Sequence, residues 1–408
     1  MLDFARVKTQ INEMAQDQKR SERTFLERIE TALDELGRWS KGWEQLADKV
    51  ERSSTSWLTA GVSEPIDARY LLPVRPKELT VIATDGSQIF PDRHEVSPCY
   101  LVNIGFVVIH YGTGERPVLS SQPFLFYKEG DIYQEWDGRR TFMNREMLSL
   151  RRGMLEFSEL ASLSERSRQE GRVTVALSDG TLIQWMLEGK PSDFKAASLA
   201  SLFSSFDRMR SAGVPVAGYI SNPGSKDVMN ALRVGLCPEE QVDCDRCSWK
   251  GGKDLPIQED LWSQRGRGKV GLPCSVIEGV TDRALFSRVL RKGERTPLFR
   301  SASKILNEYG HHYIYFFYLH VGSEISRVEV PKWLGAQTEL LNLVHACVYD
   351  QVEKGQGYPI SLSEAHEKAV VRGSDREIFY RFLRDALVQH DLKADISLKN
   401  LRKLNARV

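Results

Sequence analysis

Two apolar runs rich in β-branched residues each lead into an Asp-Gly pair. Thr80-Val81-Ile82-Ala83-Thr84 is closed by Asp85-Gly86-Ser87, and Val173-Thr174-Val175-Ala176-Leu177 by Asp179-Gly180-Thr181. Runs of this kind read as buried strands. Carboxylates at the exits of buried strands are where an α/β sheet presents metal ligands to a substrate, so the pair points toward a metal-dependent hydrolase. An Asp-Gly after a strand also serves as a plain turn, and that alternative stays open for either pair taken alone.

Composition narrows the setting without naming a partner. A chain of 408 residues, 41% of them hydrophobic, can bury one large core or two ordinary ones. Lys plus Arg (56) nearly balances Asp plus Glu (55), so any surface for nucleic acid must be local. Four basic segments qualify: Arg139, Arg140, Arg145, Arg151 and Arg152; Arg265-Gly266-Arg267-Gly268-Lys269; Arg288, Arg291, Lys292 and Arg295; and the tail residues Lys399, Arg402, Lys403 and Arg407. Each reads equally as a solvated face. The start, Met1-Leu2-Asp3-Phe4-Ala5-Arg6, lacks a basic region followed by an apolar one, and no apolar run reaches the roughly 18 residues needed to span a bilayer. A cytoplasmic location is expected, where six cysteines do not form structural disulfides.

The first sixty residues read as helical and largely separate from the core. Phe25, Ile29, Leu33, Leu36, Trp39, Trp43, Leu46 and Val50 step by three and four, laying an apolar stripe for the protein's own body, a second copy or a partner. Ser53 to Ser56 and the prolines at 65, 73 and 76 mark a linker. Strands are expected at 80–84, 100–111 and 118–127, with a Pro-Asp-Arg-His turn at 91–94. A helix follows at 140–166, a strand at 173–177, a helix at 192–209 and a strand at 214–220. A hairpin at 312–321 and 325–330 precedes helices at 332–353, 361–372 and 375–389. No Gly-x-x-x-x-Gly-Lys-Ser/Thr loop occurs, so nucleotide hydrolysis is not expected of the chain itself. Ser87 lacks a Gly-x-Ser-x-Gly elbow and reads as a turn cap or a phosphate contact.

Downstream, Gly357-Tyr358-Pro359-Ile360-Ser361-Leu362-Ser363-Glu364-Ala365-His366 opens a helix. Together with the two Asp-Gly pairs it resembles the NurA family of DNA-end-processing nucleases, over about Thr80 to Phe382. The resemblance implies an α/β fold with a ribonuclease-H-like mixed sheet flanked by helices. It carries over Asp85 and Asp179 as shared metal ligands on neighbouring strands. It implies a third acid on the preceding helix after an Arg-rich turn, where Leu150-Arg151-Arg152-Gly153-Met154-Leu155-Glu156 fits best, Glu146 and Glu159 competing with Glu156. His366 becomes a metal ligand or the group that holds the nucleophilic water, and Tyr358 a contact to phosphate or to a ligand carboxylate. An imidazole favours Mn²⁺ over Mg²⁺. The family further implies a metal-dependent exodeoxyribonuclease, 5′–3′ at DNA ends with single-stranded endonuclease activity alongside, that resects double-strand breaks as a homodimer with a HerA-type hexameric translocase. The rivals are a catalytically weak structural subunit that binds DNA or the translocase, and an RNA-directed nuclease of the same superfamily.

Cys237, Cys244, Cys247 and Cys274 form C-x6-C-x2-C-x26-C, a supply of thiolates for a structural Zn²⁺, although the first spacing is longer than a standard zinc ribbon. Cys99 and Cys347 sit in apolar contexts and read as core. The expected organisation is a helical extension at 1–65, a nuclease core at 66–236 and 278–390, a cysteine-rich insertion at 237–277 and a basic tail at 391–408.

Overall fold

The computed structural model describes residues 2–90, 98–136, 138–247, 249 and 272–392. The turn at 91–94, the basic run Arg265 to Lys269, and Lys399, Arg402, Lys403 and Arg407 lie outside the described residues. In chain order come α1 (Phe4–Lys41), α2 (Trp43–Glu51), β1 (Gly61–Val62), β2 (Leu79–Ile89), β3 (Tyr100–Tyr111) and β4 (Val118–Phe126). Then follow α3 (Glu129–Ile132), β5 (Tyr133–Trp136), β6 (Arg139–Phe142), α4 (Arg145–Gln169), β7 (Thr174–Asp179), α5 (Ser192–Ser211), β8 (Val216–Ile220) and α6 (Asp227–Leu236). The remainder is α7 (Asp282–Val289), β9 (Phe299–Arg300), β10 (Ile314–His320), β11 (Ile325–Pro331), α8 (Lys332–Gly335), α9 (Thr338–Lys354), α10 (Ile360–Ala369) and α11 (Gly373–Gln389). Among the described residues no helix is long and apolar enough to cross a membrane.

Contacts divide the chain into two compact units. One comprises Met1–Leu72, Ile220–Leu306 and Ile314–Val328. The helical stripe packs inside it: Ile29, Leu36, Leu46 and Val50 share a buried cluster with Val228, Met229 and Leu232 of α6 and with Phe286, Phe299, Phe316 and Tyr318. From Ile29 onward, then, the N-terminal helices are part of a core, and their apolar face is covered by the chain itself. Arg295, expected on a basic surface, is 3% exposed, its guanidinium 4.0 Å from the Tyr70 ring centre. It is a core cation stacked on an aromatic face.

The other unit comprises Pro73–Tyr219, Asn307–Tyr313 and Glu329–Val408. Its strands are ordered β4-β3-β2-β7-β8. β2, β3 and β4 form an antiparallel meander, while β7 runs parallel to β2 and β8 parallel to β7. This is the ribonuclease-H-like mixed sheet that was expected. Two glycines let helices close on it. A Cβ at Gly86 would meet α4, and a Cβ at Gly105 would lie 2.3 Å from the backbone nitrogen of Ala369 on α10. Gly105 pairs with Asp85, the neighbour of Gly86, so α4 and α10 cover opposite faces.

Two local differences from the sequence reading matter for the site. β2 does not end at Thr84 but runs on to Ile89, with Asp85, Gly86 and Ser87 paired to Gly105, Ile104 and Asn103 of β3. Turn-type residues are here held extended, because β3 supplies their backbone partners. The expected helix start at Arg140 is instead a hairpin of β5 and β6; α4 begins after Asn144, whose side chain accepts the Met147 N–H at 2.9 Å.

Candidate active site

The last parallel pair between β2 and β7 is Thr84 with Ser178. Asp85 and Asp179, one residue further on each strand, therefore stand side by side. Asp85 is held by two contacts: its Oδ1 accepts the Gly86 N–H at 2.7 Å, and its Oδ2 lies 2.7 Å from Nδ1 of His366. Asp179 Oδ1 accepts the Tyr358 hydroxyl at 2.7 Å. The five expected residues thus gather from β2, α4, the end of β7, the loop before α10, and α10.

Glu156 of α4, the residue expected to be the third acid, has a side chain only 17% exposed. The Thr84 hydroxyl donates to the Glu156 carbonyl at 3.1 Å, which ties α4 to β2 beside Asp85. Burial pushes the Glu156 carboxyl up to about 7; Arg152 opposes the shift, while the negative Asp85 and Asp179 add to it. Arg152 Nε approaches Glu156 Oε1 to 3.0 Å without hydrogen-bond geometry, so that this buried oxygen has no hydrogen-bond partner. The competing acids are occupied elsewhere: Glu146 pairs with Lys190 at 2.7 Å and Glu159 with Arg166 at 3.3 Å.

Tyr358 is fixed by more than Asp179. Its ring stands edge-on to Tyr219 of β8, centres 5.6 Å apart. Burial, then the hydrogen bond to Asp179 and its charge, raise the phenol, so it remains a donor at neutral pH. α10 is seated by Gln351, whose Oε1 accepts the Ser361 N–H at 3.3 Å while its Nε2 donates to the Tyr111 hydroxyl at 2.9 Å. At the other end of α10, Asn103 Nδ2 donates to the Ala369 carbonyl at 2.9 Å. Ser87, read as a turn cap or phosphate contact, donates its hydroxyl to that same carbonyl. His366 itself is 63% exposed, which leaves its Nε2 side open to a ligand.

Sequence reasoning missed three contributors. Glu329, on β11 and 2% exposed, accepts the Thr181 hydroxyl at 2.7 Å and the Leu182 N–H at 2.9 Å, bracing the turn after Asp179. Its only sequence signal is an acid inside the strand expected at 325–330. Tyr309 does similar work, its hydroxyl accepting the Gln184 N–H at 2.8 Å. Arg152 was noted as a surface charge and lies against Glu156 instead. Of its neighbours, Arg151 donates to the Tyr100 hydroxyl at 2.7 Å and to Asp131 at 3.1 Å, Arg140 pairs with Glu129, and Arg145 stacks over Phe90 at 4.8 Å. Much of this basic segment is thus engaged within the protein.

In the other unit, Cys237, Cys244, Cys247 and Cys274 line one pocket with Trp57 and Arg233. Burial raises the Cys237 thiol. Cys99 and Cys347 are buried core residues, 4% and 0% exposed. Among the described residues, neither the cysteines nor the carboxylates with His366 bring three ligand atoms within 4.8 Å of one another. Either set would have to draw together around an ion.

The family model described as the NurA domain matches residues 79–371. No curated protein matches the chain. Among solved structures, the NurA nuclease from Sulfolobus solfataricus is 14% identical, covering 90% of this chain and 96% of that one, with a TM-score of 0.45. A NurA structure bound to dAMP and manganese is 14% identical, covering 91% and 97%, with a TM-score of 0.35. LC9-RNase H1, a type 1 RNase H, is 12% identical, covering 39% and 71%, with a TM-score of 0.18.

Proposed function

Because the chain belongs to the NurA family, we propose that it is a metal-dependent nuclease that hydrolyses DNA at ends. The observation that carries this reading is the convergence of Asp85, Glu156 and Asp179, with His366 and Tyr358 each hydrogen-bonded to one of the two aspartates. Phosphodiester hydrolysis needs an activated water and relief of charge on the leaving oxygen, and divalent ions about 4 Å apart supply both. The donor set fits: three carboxylates suit a hard cation, one imidazole tilts the choice to Mn²⁺, and Glu156 Oε1, beside Arg152 but without a hydrogen bond to it, is a buried acceptor that a cation would satisfy. Asp85, Glu156, Asp179 and His366 would hold the metal.

The protein's own groups have separable duties. With its Nδ1 proton donated to Asp85, His366 presents an Nε2 lone pair, suited to a metal or to the proton of an attacking water. Tyr358 orients Asp179 and, when a phosphate is present, can transfer its hydrogen bond to it. Glu329 holds the turn that aims Asp179. Finer assignments follow the family: 5′–3′ exonuclease action with single-stranded endonuclease activity, resection of double-strand breaks in the cytoplasm, a homodimer, and a HerA-type hexameric translocase as partner. Catalysis is assigned within 66–236 and 278–390. The shared pocket of Cys237, Cys244, Cys247 and Cys274 supports a separate structural Zn²⁺ in the insertion.

The test is digestion of linear DNA labelled at either end, beside RNA of matched sequence, with Mn²⁺, Mg²⁺ or EDTA. The expected result is Mn²⁺-dependent loss of DNA from the 5′ end with RNA spared. Preferred cleavage of RNA would favour the RNA-directed reading. Intact DNA, even with a cognate translocase added, would favour a structural subunit.

A further inference from the structure

A second constellation of ligand atoms lies on α5 and the segment just before β10, both in the unit that carries the acidic residues. Nε2 of His311 and Nε2 of His312 are 3.0 and 3.1 Å from the same oxygen, Oδ1 of Asp207. Among the described residues this is the one trio of His, Cys, Asp or Glu whose ligand atoms all lie within 4.8 Å of one another. The His312 imidazole is 1% exposed and its orientation is fixed, stacked on Phe203 with ring centres 5.5 Å apart and edge-on to Phe206 at 5.5 Å. Despite this burial its Nδ1 has no hydrogen-bond partner, and its Nε2 faces Asp207 Oδ1 without hydrogen-bond geometry.

From this we propose that Asp207, His311 and His312 form a binding site for a divalent transition metal, Zn²⁺ in the first instance. Two imidazoles and one carboxylate are a three-ligand set that leaves a fourth tetrahedral position for water. Simple charge pairing accounts for His311 and Asp207, which are hydrogen-bonded. At His312 the same pairing lacks hydrogen-bond geometry, although a buried polar nitrogen beside a carboxylate oxygen is expected to bond to it. A metal placed off the direct line from Nε2 to Oδ1 would take that lone pair.

Such a metal would staple α5 to the segment that carries Tyr309. Tyr309 packs edge-on to Phe203 at 5.1 Å and bonds the chain at Leu182 and Gln184, just beyond Asp179. The site does not depend on the nuclease reading and stands or falls separately.

The experiment is a Co²⁺ titration of the full, EDTA-stripped protein by visible absorption and elemental analysis, comparing wild type with Asp207→Asn and His311→Ala. Asp207 and His311 have side chains 53% and 56% exposed, so the fold should survive, as circular dichroism would check. The acidic cluster and the cysteines are intact in all three proteins, so the difference spectrum isolates this site. The expected difference between wild type and each variant is one equivalent with nitrogen- and oxygen-type bands and no thiolate charge transfer, displaced by Zn²⁺ and weakened at least tenfold in the variant. Loss of a group that merely orients a ligand already costs about 10–100-fold. Zn²⁺ should also raise the melting temperature of wild type more than that of either variant. Identical stoichiometry, spectrum and Zn²⁺ response in all three proteins would overturn the proposal.

Discussion

Gly86 and Gly180 each follow an aspartate of the candidate site, yet the chain needs them for different reasons. Gly86 lies in regular strand, paired to Ile104. A Cβ there would fall 2.5 Å from Oε1 of Glu156 and 2.8 Å from Cγ of Arg152. Gly180 has nothing within 4 Å of where its Cβ would be, but its φ is +83°, a conformation that side chains resist. The first glycine makes room for the third carboxylate; the second turns the chain. One dipeptide can therefore be coupled to chemistry in one place and to folding in another, and only the neighbours tell which.

The sharpest way to break that comparison is to remove the aspartates themselves. Asp85→Asn and Asp179→Asn should each lower cleavage by on the order of 10²–10³-fold or more, the scale of losing one charge-stabilising contact. Circular dichroism should be unchanged, and turnover near wild type in either would remove that aspartate from the site. Next, Gly86→Ala should displace Glu156, costing about 10²-fold in rate and about 1–3 kcal/mol of stability from overpacking. Gly180→Ala should cost about 1–2 kcal/mol from backbone strain and leave the rate within a few-fold once the protein is folded. Urea melts beside rate measurements would separate the two, and equal rate losses would erase the distinction. The smallest effect is on pH dependence. The folded Glu156 carboxyl titrates near 7 against an ordinary value of 4.5, so the folded state holds this proton more tightly. That contribution to stability is full below pH 4.5 and is lost as pH rises through about 7. Glu156→Gln should flatten this decline in a series of melts without metal; an unaltered slope would contradict the assigned cause.

How much of this was legible depended on whether the deciding partner was near in sequence. The two aspartates could be read from their apolar runs, and Glu156, Tyr358 and His366 from a family pattern. The extension of β2 through Asp85 could not, because its backbone partners lie on β3. Four-residue strands such as β5 and β6 carry too little alternation to stand out from the helix that follows them. Arg295 looked like surface charge until Tyr70 proved to cover it. His312 was read as the first residue of a strand, and only the fold sets Asp207 of α5 against it. Cysteine spacing foretold ligand types, while their shared pocket required tertiary structure.

The central claim is that Asp85 and Asp179 serve one metal site although the backbone treats them differently. Its most direct test is Mn²⁺ binding followed by electron paramagnetic resonance of the free ion, with wild type, Asp85→Asn and Asp179→Asn titrated side by side. The account predicts that the same tightly bound Mn²⁺ is lost from both variants. Retention of wild-type Mn²⁺ binding in either would contradict it.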